Sequence, residues 1–246
     1  MSLAAPSEAD VAGLDGRLAA IDWAAVARRL DDEGAARLAA LLGVAECDAL
    51  AALYDSGERF RSRVDMSRQG YGRGEYRYFA YPLPPLVEEL RARLYPRLAP
   101  LADRWQEALR SPVRFPASHA EFLARCHGAG QRRATPLLLR YREGDYNRLH
   151  QDLYGEHVFP LQVAILLGEP GRDFTGGEFV MTEQRARMQS RPLVVPLRKG
   201  DAVVFAVRER PVPRRGGFAR AVLRHGVATV TSGTRVTAGI IFHDAK

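Results

Sequence analysis

Arg140-Tyr141-Arg142-Glu143-Gly144-Asp145-Tyr146-Asn147-Arg148-Leu149-His150-Gln151-Asp152 is the stretch whose reading decides the fold of this chain. It holds two strand-like runs, residues 137–142 and 146–153, separated by the turn-forming Glu143-Gly144-Asp145. It closes on a His-x-Asp triplet. Residues two apart on a strand project to the same face, so His150 and Asp152 can reach one ion.

The same grammar continues outward to the C-terminus. Residues 158–167, 177–182, 193–197, 202–207, 219–230 and 235–242 read as further strands, divided by turns rich in glycine, proline or charge. Eight strands at this spacing predict a double-sheet jelly roll, with helices packed outside one sheet. Toward the N-terminus, residues 21–30, 34–42 and 46–54 space their apolar side chains three and four apart, as helices do. Asp22 and Ala45-Glu46 mark starts, and Gly34 and Gly43 mark stops or turns. Residues 60–81 read as a loop or hairpin followed by a strand ending at Pro82. Residues 86–109 read as one long helix or two, interrupted at Pro96 and Pro100. The expected fold class is α+β, mainly β: a double-stranded β-helix (jelly-roll) core over residues 136–246 with a helical N-terminal support and lid over residues 1–135, together one structural unit.

A third metal ligand must come from elsewhere in such a fold, and His225 lies on a late predicted strand. Two imidazoles and one carboxylate on one face leave the opposite face open, which suits Fe(II) better than a closed zinc site. A His-x-Asp triplet arises by chance in roughly one chain of three at this composition, so its context carries the reading. The triplet falls on the second predicted strand, His225 on the seventh and Arg235 on the eighth. His119 and His127 read as surface or helix-end residues, His243 as a terminal strand residue and His157 as the start of a strand. Arg235 precedes an apolar run, so its strand is buried on one face at least, and a buried guanidinium needs a partner. A dicarboxylic cosubstrate supplies a bidentate one. Tyr141 offers its hydroxyl to the same region, or packs in the core without touching ligand.

Composition bounds the partners. The 246 residues carry a net charge of +7, almost all of the basic side as arginine, with lysine only at Lys199 and Lys246. That charge suits a polyanion, and arginine beside so much alanine also fits a GC-rich coding bias. Cys47 sits in an apolar helical run and reads as a buried free thiol, and with only Cys126 beside it a reducing cytoplasm is expected. Residues 1–16 contain acids and no long apolar run, so no signal peptide is expected. No stretch approaches the roughly 20 apolar residues of a membrane span.

With these residues in place, Arg140 to Asp152, Gly176-Gly177-Glu178-Phe179, Lys199 to Phe205 and Leu223-Arg224-His225-Gly226-Val227 resemble the Fe(II)/2-oxoglutarate-dependent dioxygenase superfamily from about residue 135 onward. The Arg-Tyr-x-x-Gly and Leu-His-Gln-Asp strings are similar to AlkB-type DNA dealkylases. The Gly-Gly-Glu-Phe element and the ten-residue gap from His225 to Arg235 are similar to prolyl 4-hydroxylases. As a whole the chain resembles a bacterial group of oxygenases linked to repair of alkylated DNA. The resemblance implies Fe(II) on His150, Asp152 and His225, 2-oxoglutarate on that metal with its far end at Arg235 and Tyr141, and O2 as oxidant, with ascorbate as a further cofactor. Hydroxylation is then coupled to formation of succinate and CO2, and a hydroxylated N-methyl group collapses to formaldehyde. The chain departs from the AlkB-type pattern at Ile241, where that pattern has a second arginine, and in its shorter gap from His225 to Arg235. Both departures bear on substrate and leave the metal and cosubstrate positions intact.

Two segments bear on that choice. Arg59, Arg61, Arg63, Arg68, Arg73 and Arg77 alternate with Phe60, Tyr71, Tyr76, Tyr78 and Phe79, a pattern that suits a nucleic-acid strand, or else a hairpin with core-facing aromatics and solvated arginines. The basic loop 208–220 contacts phosphate or merely connects two strands. The expected activity is oxidative dealkylation of damaged nucleic acid. The alternatives are hydroxylation of a protein or peptide and, from another class, a non-catalytic ligand-binding barrel.

Overall fold

The computed structural model describes residues 8–246, with side chains from residue 13 onward. The stretch read as lacking a signal peptide begins in residues 1–7, which lie outside the described ones. In chain order the elements are α1 (Glu8–Ala20), α2 (Trp23–Glu33), β1 (Ala35–Leu38), α3 (Val44–Ala52), β2 (Phe60–Asp65), α4 (Met66–Gln69), β3 (Gly72–Arg73), β4 (Glu75–Phe79), α5 (Pro85–Ala108) and α6 (His119–Gly128). Then follow β5 (Leu137–Arg142), β6 (Tyr146–His150), β7 (Leu161–Leu166), β8 (Phe174–Gly176), β9 (Phe179–Gln184), β10 (Arg191–Val195), β11 (Ala202–Ala206), β12 (Glu209–Arg214), β13 (Gly217–Val227) and β14 (Val230–Ile240).

Two antiparallel sheets face each other. The larger runs β1-β11-β7-β14-β5-β4-β2 and the smaller β10-β9-β13-β6-β3, with β8 paired to β14 and β12 to β13. The eight predicted strands form the heart of this jelly roll, four in each sheet. β1, β2 and β4 extend the larger sheet at both ends, so the N-terminal half supplies strands as well as helices. No helix among the described residues is long and apolar enough to cross a membrane.

Three expectations are corrected. Residues 34–42 are not a helix: Ala35–Leu38 pair with β11 from Ala35↔Phe205 to Leu38↔Ala202. Their short apolar run satisfies either period, and Gly34, in the left-handed region, ends α2 and turns the chain onto the sheet edge. Pro96 and Pro100 do not interrupt α5. Both lie on its exposed face, one turn apart, so the carbonyls they leave unpaired on that face have water to bond. The opposite face buries Leu90, Leu94, Leu98 and Trp105, each leucine worth about 2 kcal/mol. Finally, 208–220 is no loop. β12 and β13 form a hairpin with Arg210 opposite Ala221.

Arg210 shows why that segment holds its shape. Its side chain is 1% exposed and pairs with Glu183, Nε to Oε2 at 2.9 Å, while Nη1 and Nη2 donate to the carbonyls of Asp31 and Asp32 at 2.5 and 2.6 Å. Those are last-turn carbonyls of α2, which have no partner inside their helix. Arg210→Ala leaves the buried Glu183 with Arg185 as its remaining charged partner and uncaps both carbonyls, so a loss of about 3–5 kcal/mol is expected in chemical denaturation. A loss under about 1 kcal/mol would put the charge of Arg210 in solvent.

His119 opens α6, one of the two positions expected for it, but is buried and not at the surface, and His243, expected to end a strand, is buried beyond the end of β14. Burial holds each imidazole down to about 4 from an ordinary 6.5, and the positive charge of Arg91 acts in the same direction. The unfolded chain therefore takes up their protons first. Stability is full above about pH 6.5 and falls as pH drops toward 4, by up to about 3 kcal/mol for each histidine. Urea midpoints measured from pH 7 to 4 should fall across this window, and His119→Gln should flatten part of the fall.

Candidate active site

The site is assembled where β6 meets β13. His225 stands opposite His150, and the next matched pair is Val227 with Asn147. Two steps on β13 thus face three on β6, a bulge that lets both Asn147 and His150 look into the barrel despite their odd spacing. Gly226 is needed there, because a Cβ on it would lie 2.6 Å from the carbonyl oxygen of Asn147. β6 ends at His150, so Asp152 lies just past the strand and not on it. Gln151 pins this outgoing segment by donating to the carbonyls of Leu223 at 2.8 Å and Arg208 at 3.2 Å.

His150, Asp152 and His225 then offer ligand atoms that all lie within 4.8 Å of one another. Asp152 Oδ1 is 3.5 Å from His150 Nε2, and its Oδ2 is 3.3 Å from His225 Nε2. His150 Nδ1 lies 2.7 Å from the carbonyl of Arg148 and donates to it, which aims Nε2 at the centre of the cluster. Burial alone would raise the Asp152 carboxyl, but hydrogen bonds from His150 and His225 outweigh it and hold that group well below the usual range. Burial pulls His225 down, whereas for His150 the pairing with Asp152 wins over burial and raises it. An ionised carboxylate between two imidazoles is a donor set ready for a divalent cation. His157 and His127 stand outside this cluster; His127 binds Asp244.

The cluster opens onto a cavity of about 220 Å³ between the sheets. Arg235, on β14, is 2% exposed and paired in register with Tyr141 on β5. Its Nη1 donates to Thr237 Oγ1 at 2.5 Å, while its buried Nε has no partner in the protein. Burial lowers the guanidinium to about 10, which leaves it charged at neutral pH. Gly177 makes room for it, since a Cβ there would meet Arg235 Cδ at 2.8 Å. Tyr141 is wholly buried beneath Arg235, ring to guanidinium 5.7 Å, and its hydroxyl accepts from Asn147 Nδ2 at 3.3 Å. The five residues singled out in the sequence thus line one cavity.

A protein-family model described as "Oxygenase, catalysing oxidative methylation of damaged DNA" (Oxygenase-NA) matches residues 74–245 and takes in all five. The chain belongs to this oxygenase family. "Uncharacterized protein Rv2227" of Mycobacterium tuberculosis is 48% identical over 167 residues, 68% of this chain and 72% of that one. Among solved structures, a 2OG-Fe(II) oxygenase family oxidoreductase of Burkholderia pseudomallei superposes with a TM-score of 0.53 at 17% identity, covering 92% of this chain and 93% of the other. A Trichoplax adhaerens prolyl hydroxylase, in complex with a hypoxia inducible factor peptide, gives 0.54 at 14%, covering 97% and 94%. At these identities the two structures speak for the fold, and that fold is the one expected of an Fe(II)/2-oxoglutarate oxygenase.

Sequence reading missed Asn147 and Tyr154. The Tyr154 hydroxyl donates to Asp152 Oδ1 at 2.8 Å and lies 3.1 Å from the hydroxyl of Tyr78. The signal for it was present in the Asp-x-Tyr alternation past the triplet; Asn147 had none, because only the bulge turns it inward. Such groups orient a ligand carboxylate, and losing one weakens metal binding about 10- to 100-fold. Tyr154→Phe is expected to lower Mn(II) affinity by at least about tenfold; an unchanged titration would make the hydroxyl a bystander. In the segment 59–79, β2 and β4 form a hairpin on the sheet edge. Phe60 stacks on Phe79 at 4.8 Å, Arg77 and Arg63 pair with Glu75, and Arg61 donates to the carbonyl of Ala134. Tyr71, at 48% exposed, remains as the aromatic at the cavity rim.

Proposed function

We propose that this oxygenase uses Fe(II) and 2-oxoglutarate to hydroxylate N-methyl groups on damaged nucleic acid, releasing them as formaldehyde. The observation that carries the cofactor reading is the single cavity holding an Asp152–His150–His225 cluster at one wall and a buried, half-partnered Arg235 at another. The donor set fits: two nitrogens and one carboxylate oxygen suit ferrous iron, and the free Nε of Arg235 suits a carboxylate. Iron bound there would activate O2, so that one oxygen atom would end in the hydroxylated substrate and the other in the succinate formed, with CO2, from 2-oxoglutarate. His150, Asp152 and His225 hold the metal, and Tyr154 and the Arg148 carbonyl orient two of those ligands. Arg235, Thr237 and Tyr141 fix the far carboxylate of the cosubstrate. Apolar side chains around the cavity keep bulk water from the reacting carbon.

The nucleic-acid substrate rests on the family description and on the exposed Tyr71 at the cavity rim, flanked in the chain by the exposed Arg68 and Arg73, which face Asp65 and Asp145. The test is to supply Fe(II), 2-oxoglutarate and O2 with N-methylated single-stranded DNA, beside a proline-rich peptide. Succinate and formaldehyde in equal amounts with the DNA are expected. Hydroxylated peptide with no formaldehyde from DNA would transfer the assignment to a protein substrate.

A further inference from the structure

The cavity has an end that the cosubstrate does not fill. Along β14 its wall runs Arg235, Thr237, Gly239 and, just past the strand, Ile241; along β5 it runs Tyr141, Leu139 and Leu137. Gly239 pairs with Ala164 and Ile240 with Val163, so Ile241 faces Gln162 at the next rung. Six residues at about 3.4 Å each set this rung roughly 20 Å along the strand from Arg235. A five-carbon diacid held at Arg235 spans only part of that length. Gln162 is also the cross-strand neighbour of Phe205, whose ring lies 4.5 Å from that of His225. Its amide therefore stands near the metal-binding wall, on the side away from Arg235.

Three facts about Gln162 coincide. It is 3% exposed, it lines the cavity, and its Nε2 has no hydrogen-bond partner in the protein. A buried donor without an acceptor is costly, and one that also lines a cavity is placed for a ligand to complete it. Around it stand flat or apolar walls, Tyr76, Tyr78, Tyr154, Leu137 and Ile241, with the rings of Tyr76 and Tyr78 5.3 Å apart edge to face. Such walls accept a planar ring, and aromatic faces attract one made cationic by N-methylation.

Resting on the nucleic-acid reading above, we infer that this end is the prime-substrate pocket and that Gln162 is its specificity-determining residue, donating to an exocyclic carbonyl of the methylated base. N3-methylcytosine offers such a carbonyl and N1-methyladenine does not. The test compares single-stranded oligonucleotides carrying one or the other, with wild type, Gln162→Leu and the near-isosteric Gln162→Glu. Wild type should prefer the methylcytosine strand. Both variants should raise its KM about tenfold or more, change kcat and the KM of the methyladenine strand less than twofold, and keep wild-type Mn(II) and 2-oxoglutarate affinities. An unchanged KM for methylcytosine in both variants overturns the inference, as does a loss of 2-oxoglutarate affinity, which would assign the amide to the cosubstrate. If neither strand is turned over while a peptide is, the nucleic-acid reading itself fails and takes this assignment with it.

Discussion

Asp152→Ala is expected to reduce succinate formation to background and to remove Mn(II) binding at micromolar metal. Asp152 is the one carboxylate of the cluster, and its two oxygens face the two imidazoles at 3.5 and 3.3 Å. Without it, His150 and His225 are two neutral ligands with ring centres 4.3 Å apart, and a pair of imidazoles alone is a weak site for a hard divalent ion. Loss of an orienting neighbour already costs about 10- to 100-fold, so loss of the charged ligand itself should exceed that range. The hydroxyl of Tyr154 keeps only that of Tyr78 as a partner. Metal titration followed by intrinsic fluorescence separates lost binding from misfolding, provided the metal-free variant melts as wild type does. Turnover within tenfold of wild type would remove Asp152 from the ligand set.

The second large effect is expected at Arg235. Arg235→Ala should raise the KM for 2-oxoglutarate on the order of 100-fold or more, since it deletes two charge-assisted hydrogen bonds of about 1.5–3 kcal/mol each. Arg235→Lys should recover only part of this, because an ammonium keeps the charge and loses the planar fork. Mn(II) affinity should be unchanged in both, as Arg235 reaches none of the metal-binding atoms. The same KM in Arg235→Ala as in wild type would show that the cosubstrate is anchored elsewhere.

Legibility followed the range of the interactions. The eight strands of the jelly roll were readable because alternation and turn chemistry are local, and the five candidate site residues were readable because four of them sit on those strands and Asp152 just past one. Residues 34–42 were misread because so short an apolar run satisfies a strand and a helix alike, and the deciding partner, β11, is more than 160 residues away. Arg210 looked like a solvent-exposed base within a basic run. Its partners Glu183, Asp31 and Asp32 come from distant segments, and only packing shows that its charge is consumed inside. Much of the arginine-rich 59–79 segment is likewise matched by acids and carbonyls, so composition overstated the charge free to meet a polyanion.

By itself the sequence pointed to the candidate donor residues, the candidate cosubstrate arginine and the order of strands that brings them together, because side-chain chemistry and strand periodicity are written residue by residue. Tertiary structure alone decided how those residues are aimed. The bulge opposite Gly226 turns Asn147 inward beside His150, the anchored Gln151 swings Asp152 off its strand into the cluster, and the β7–β14 register carries Gln162 to the far end of the cavity. Register and bulges are properties of strand pairs, and no single stretch of chain encodes them.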